Sequence, residues 1–201
     1  MKYKSRILPA VAVNGIVSGL VMMAVFTSAW AIIAYHGLAA TSYWPALIIF
    51  PIFSLFFIIN AVKLFRIAKF YPKVTSEADI AQEKRTGKWF GIIFSAEGAG
   101  IFIAINIVVN IGYPELTIPV LALVVGLHFY PLAWVFKRTV DYYLATWSTV
   151  IATLAIILTL NKILTETTTF AFTGIGIAIA TTCYGFYMVM SGQGLPKPEL
   201  L

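Results

Sequence analysis

Residues 95–110 read SAEGAGIFIAINIVVN. The run is apolar enough to cross a bilayer, yet it holds a glutamate near its start and two asparagines near its end. Continued outward over 89–111, it meets the roughly 20 helical residues that a hydrocarbon core about 30 Å thick requires. A carboxylate at that depth is hard to solvate, so Glu97 needs a partner, a water-lined cavity or a function.

The composition points to lipid as the solvent. The chain has 201 residues, 60% hydrophobic and 11% charged, with a mean hydropathy of +0.90. Soluble domains are about half apolar and about a quarter charged. Five further stretches match the first, which gives spans at about 8–34, 45–62, 89–111, 117–136, 142–160 and 168–190. The first exceeds the roughly 7–15 apolar residues of a cleavable leader and is read as a retained helix. The expected fold is all-α: one integral membrane domain of six transmembrane helices over 1–201, with a linker at 63–88. The Gly- and Pro-containing end, SGQGLPKPELL, is expected to be non-helical.

Basic residues orient the bundle. With six spans and an inside N-terminus, one side carries Lys2, Lys4 and Arg6, seven residues between Lys63 and Lys88, Lys137, Arg138 and Lys197. The other side carries Lys162 alone, out of 14 Lys and Arg in all. Such asymmetry marks the cytoplasmic side, so both termini are expected to be cytoplasmic and the location a plasma (inner) membrane. The net charge of +6 is then an orientation device with affinity for anionic headgroups, and the partner it implies is the lipid bilayer, not nucleic acid. The single Cys183 excludes an intrachain disulfide and is read as a small packing residue.

The linker reads as two pieces. Lys63, Arg66 and Lys69 form a basic face continuing the second helix as far as Pro72. Ser76 with Asp79 then forms a capping-box pattern, and Gly87 is a stop, which predicts a short helix lying on the inner leaflet. Pro45 with Pro51 and Pro119 with Pro131, together with the endings VKLFR and WVFKR, suggest a repeated helix hairpin of the kind known in transporters.

Two titratable residues stand at matched depths. Glu97 lies nine residues after Lys88 and His128 nine before Lys137, so each is about 13–14 Å from the same boundary. They occupy adjacent antiparallel helices around GYPEL, and a Glu–His contact would offset the cost of burying either. Asn14 is expected near the same depth as a third member. Asn106 and Asn110 share a different face of the third helix, and both faces are expected to be buried against protein or water. Pro131 leaves the carbonyl of Leu127 without its helical donor, next to His128. Asparagine and histidine also serve as hydrogen-bonding glue between helices, the structural alternative for every one of these residues.

At EGAGIFIAINIVVN followed by IPVLALVVGLHFYPLA, the chain resembles an uncharacterised family of small bacterial multi-spanning membrane proteins. The resemblance rests on Glu97, Gly98, Gly100, Asn106, Asn110, Pro119, Gly126, His128 and Pro131. It implies a membrane bundle and a bacterial source, and no activity.

No HExxH, GxSxG or P-loop is present, nor a GxGxxG following a strand, so an enzyme is disfavoured and no cofactor or metal is expected. The leading expectation is transport or conduction of a small solute or proton, with Glu97, His128, Asn14, Asn106 and Asn110 as the ligand- or proton-binding candidates. The alternative is a non-transporting sensor, assembly partner or accessory subunit in which Glu97 and His128 are a structural pair.

Overall fold

The structure, a computed structural model, describes residues 10–73 and 77–195, with the side chains of residues 78, 79 and 82 outside that description. Six α-helices follow one another: α1 (Ala10–Leu38), α2 (Ile49–Ala68), α3 (Glu77–Asn110), α4 (Thr117–Phe136), α5 (Thr139–Leu160) and α6 (Glu166–Gln193). Short 3₁₀ turns at Trp44–Ile48 and Pro114–Leu116 lead into α2 and α4. All six helices are long and apolar enough to cross a membrane. Only helices satisfy their own backbone groups in lipid without forming a closed barrel, which is why so apolar a chain takes this form.

The helices alternate in direction. Thr27 bonds Thr181 at 2.9 Å, Gly174 lies against Trp30 and Ala34, and Gly19 lies against Met188, so α1 and α6 run antiparallel along most of their length. Ala10 N–H donates to the carbonyl of Pro72 at 2.9 Å, pinning the start of α1 to the segment after α2. Phe57 and Leu64 of α2 meet Gly185 and Gly192 of α6 in the same order, so these two helices are parallel. α6 is the most enclosed helix, packed on α1, α5, α2 and α4. A Cβ on Gly174 would come within 2.6 Å of the Ala34 nitrogen and 2.8 Å of the Trp30 oxygen. Glycine is therefore required there for two backbones to approach.

Buried hydroxyls tie the helices together. Ser28 donates to Ser54 at 2.9 Å between α1 and α2, and Thr159 and Thr169 meet at 2.7 Å between α5 and α6. Trp147 Nε1 donates to the carbonyl of Gly176 at 2.8 Å. The outer surface is apolar, with Phe102, Phe65 and Leu55 at least 60% exposed. Trp44, Trp134, Tyr113 and Tyr142 also point outward near the helix ends, and Trp89 points outward within α3, as interfacial aromatics do.

Two expectations are corrected. No separate surface helix ends at Gly87: α3 is one helix of 34 residues passing straight through it. A glycine stops a helix only where the backbone turns left-handed, and an interior one costs only about 1 kcal/mol relative to alanine. Unbroken, the helix leaves no carbonyls exposed at the bilayer edge. The cap expected at Ser76 and Asp79 lies outside the described residues. At the other end of the chain, α6 runs through Ser191 and Gly192 to Gln193, so the sequence after residue 190 is not wholly non-helical.

Candidate functional site

α3 packs on α4 and the turn at Pro114–Leu116, with no extensive contact to the remaining helices among the described residues. α1 faces it across a groove of about 1340 Å³, whose back wall is α4 and α6. This exceeds the roughly 300–1,000 Å³ of pockets that hold drug-sized ligands. Its walls are mainly apolar and aromatic, including Phe26, Trp30, Phe90, Phe94 and Phe129. Pro72, Lys73, Glu83, Thr86 and Arg138 line the end where α1 and α3 begin; we call it the basic end.

Glu97 and His128 meet on the wall of this groove. Oε1 of Glu97 lies 3.3 Å from Nδ1 of His128, with the two side chains 11% and 9% exposed. The hairpin sets this contact. Tyr113 N–H bonds the carbonyl of Val108 at 2.8 Å to close α3, and the Pro114 turn starts α4 antiparallel to it, which brings the matched offsets together. The contact has the distance of a hydrogen bond without its alignment, and the imidazole also meets the backbone of Val125, one turn earlier. Gly98 opens onto the groove, and Gly100 faces the side chain of Val124.

The asparagines are not part of this cluster. Asn106 Nδ2 donates to the carbonyl of Phe102 and Asn110 Nδ2 to that of Asn106, each at 2.7 Å. Both side chains are exposed on the outside of α3, so this polar face is not buried against protein within this chain. Binding the carbonyl four residues back lets an amide face lipid at reduced cost. Asn14 is also exposed and sits one turn from Ala10, at the basic end. Val125, a turn from His128, packs against the core cluster that holds Trp30, Ala31 and Ile177, so the α1 residues level with the pair lie near Trp30. Asn14 is roughly 20 Å away along the helix. The sequence estimate set Arg6 level with Lys88, whereas Lys88 lies well inside α3, which begins at Glu77. Cys183 faces outward and is not a packing residue.

The structure adds a second polar cluster that the sequence reading missed. Arg138 Nε donates to Asp141 Oδ2 at 3.1 Å, with Asp141 fully buried. The guanidinium carbon stands 4.4 Å from the centre of the Phe136 ring and 5.6 Å from that of Tyr184. A signal was present: an arginine three residues before an acidic residue in the first turn of a helix. Lys137, with φ at 55°, closes α4 in a left-handed cap and turns the chain directly into Arg138. No group of three or more His, Cys, Asp or Glu side chains suited to a metal occurs among the described residues. Comparison with protein-family models, with curated proteins and with solved structures yields no match.

Proposed function

We propose that the protein binds a small membrane-soluble or amphipathic solute in the groove, in the service of proton-linked transport, with Glu97 and His128 as its polar station. The supporting observation is the Glu97–His128 contact at 3.3 Å on the wall of a groove of about 1340 Å³. A carboxyl and an imidazole this close can share one proton, and either can offer a hydrogen bond to a ligand. A purely structural pair would be expected to align its hydrogen bond and face away from a cavity, whereas His128 Nδ1 is left unaligned beside one. The basic end faces the cytoplasm of a bacterial inner membrane in this reading, because cationic loops are retained on that side.

The test uses the protein reconstituted in vesicles. Glu97→Gln keeps size and hydrogen-bonding capacity but does not titrate. Flux of protons or solute should lose its pH dependence in that variant, while thermal stability in detergent stays near that of the parent. His128→Ala should alter the same pH response. Flux unchanged at every pH in Glu97→Gln, with stability lost only in His128→Ala, would sink the proposal in favour of a structural pair.

A further inference from the structure

We infer that the groove takes a single-chain lipid anion, its carboxylate or phosphate head on Arg138 and its chain lying between α1 and α3 toward Trp30. The inference rests on the reading of the groove as a ligand site and names the ligand class. Arg138 lines the groove at the depth where its wall changes from polar to apolar. It is about ten residues, or roughly 14 Å of helical rise, from His128 toward the basic end. Lys73 and Glu83 lie at the outer mouth, with Glu83 about a turn or more beyond Arg138 on α3. An amphipath moving in with its chain leading would bring its head to rest at Arg138.

The arginine is built to hold an oxyanion. Asp141 takes only its Nε, and Phe136 and Tyr184 fix the guanidinium plane. Among the described residues the terminal amino groups have no hydrogen-bond partner, and the side chain is 27% exposed. A planar fork held in this way can bind a carboxylate or phosphate through two parallel N–H bonds. Asp141 is itself fully buried and meets the Tyr184 hydroxyl as well as Arg138. Its charge therefore serves to position the arginine and does not compete for solvent. A cationic head would find no acceptor on the free edge of the guanidinium, and Lys73 and Glu83 at the outer mouth offset each other, so Arg138 sets the preference at this point.

The experiment uses the full chain in an uncharged detergent and follows tryptophan fluorescence. Dodecyl phosphate with a bromine near the chain end is compared with the equivalent trimethylammonium amphipath and with inorganic phosphate. We expect saturable quenching by the alkyl phosphate, lost in Trp30→Phe, and at least about tenfold weaker binding of the ammonium compound. Arg138→Gln alone would leave Asp141 without its cation and endanger folding, so the probe variant is the double Arg138→Gln/Asp141→Asn. It should weaken the alkyl phosphate about tenfold, whereas Asn110→Leu, on the outside of α3 and away from the groove, should leave that affinity unchanged. Equal binding of the two amphipaths, or no loss in the double variant, overturns the inference and leaves the groove standing as a ligand site. Competition by inorganic phosphate at equal affinity also overturns it, because the chain would then contribute nothing. Saturable binding of neither amphipath removes the groove as a ligand site and both readings with it.

Discussion

Thr27 and Thr181 belong to the first and sixth helices, and their hydroxyls meet at 2.9 Å in the buried seam between them. Thr27 is fully buried, and Thr181 also reaches the carbonyls of Ile177 and Ala178 at 3.2 and 3.1 Å. Removing Thr27's hydroxyl therefore does not orphan its partner.

Thr27→Val should cost about 0.6 kcal/mol, the average for interhelical hydrogen bonds in membranes. Reversible unfolding in mixed detergent micelles would measure it. A loss above about 2 kcal/mol would mean that the seam depends on this pair more than the backup acceptors allow.

The glycine seam is less forgiving. Gly174→Val should destabilise by about 3 kcal/mol or more, because backbone atoms of Ala34 and Trp30 occupy the space of the new side chain. Gly15→Ala is the control, as nothing lies within 4 Å of the added carbon. Melting temperatures of the two variants should separate clearly, with the alanine variant at or above the parent.

Asn106→Leu and Asn110→Leu should each stay within about 0.5 kcal/mol of the parent and leave pH-dependent flux intact. Their amides serve their own helix, and neither lines the groove. A flux defect in either variant would return these residues to the site.

The proposed orientation makes a direct prediction. Reporter fusions after residues 40 and 114 should register outside, and fusions near residues 80 and 201 inside. A cytoplasmic signal at residue 114 would contradict the assignment of the basic end.

The span of α4 was legible to the residue, since Thr117–Phe136 lies between a Pro-Glu-Leu turn and Lys137. Lipid thickness and charged ends leave little freedom there. The start of α3 was misread because Gly87 looks alike in sequence whether it ends a helix or continues one. The depth of Glu97 and His128 could be counted from Lys88 and Lys137, but their rotation could not. Both helices are apolar on most faces, so no periodicity identifies the side that faces a neighbour. The groove and the Arg138–Asp141 cluster escaped for the same reason: each depends on which apolar helices lie side by side. Asn14 was misplaced because its depth was counted from Arg6 as if that residue stood level with Lys88, which lies inside α3.

The enclosure of α6 has a consequence for biosynthesis. Of the six helices the most enclosed one is translated last, so α1 must enter the membrane before the helix that covers Thr27, Trp30 and Ala34 exists. The roughly 130 residues between Leu38 and Glu166 take about 6 to 26 s at ordinary translation rates. During that interval the α1 surface destined for α6 has lipid, the insertion machinery or the helices already made against it. Ribosomes stalled before residue 166 should thus hold a nascent chain whose α1 is still open to crosslinking from lipid, and release through residue 193 should close it.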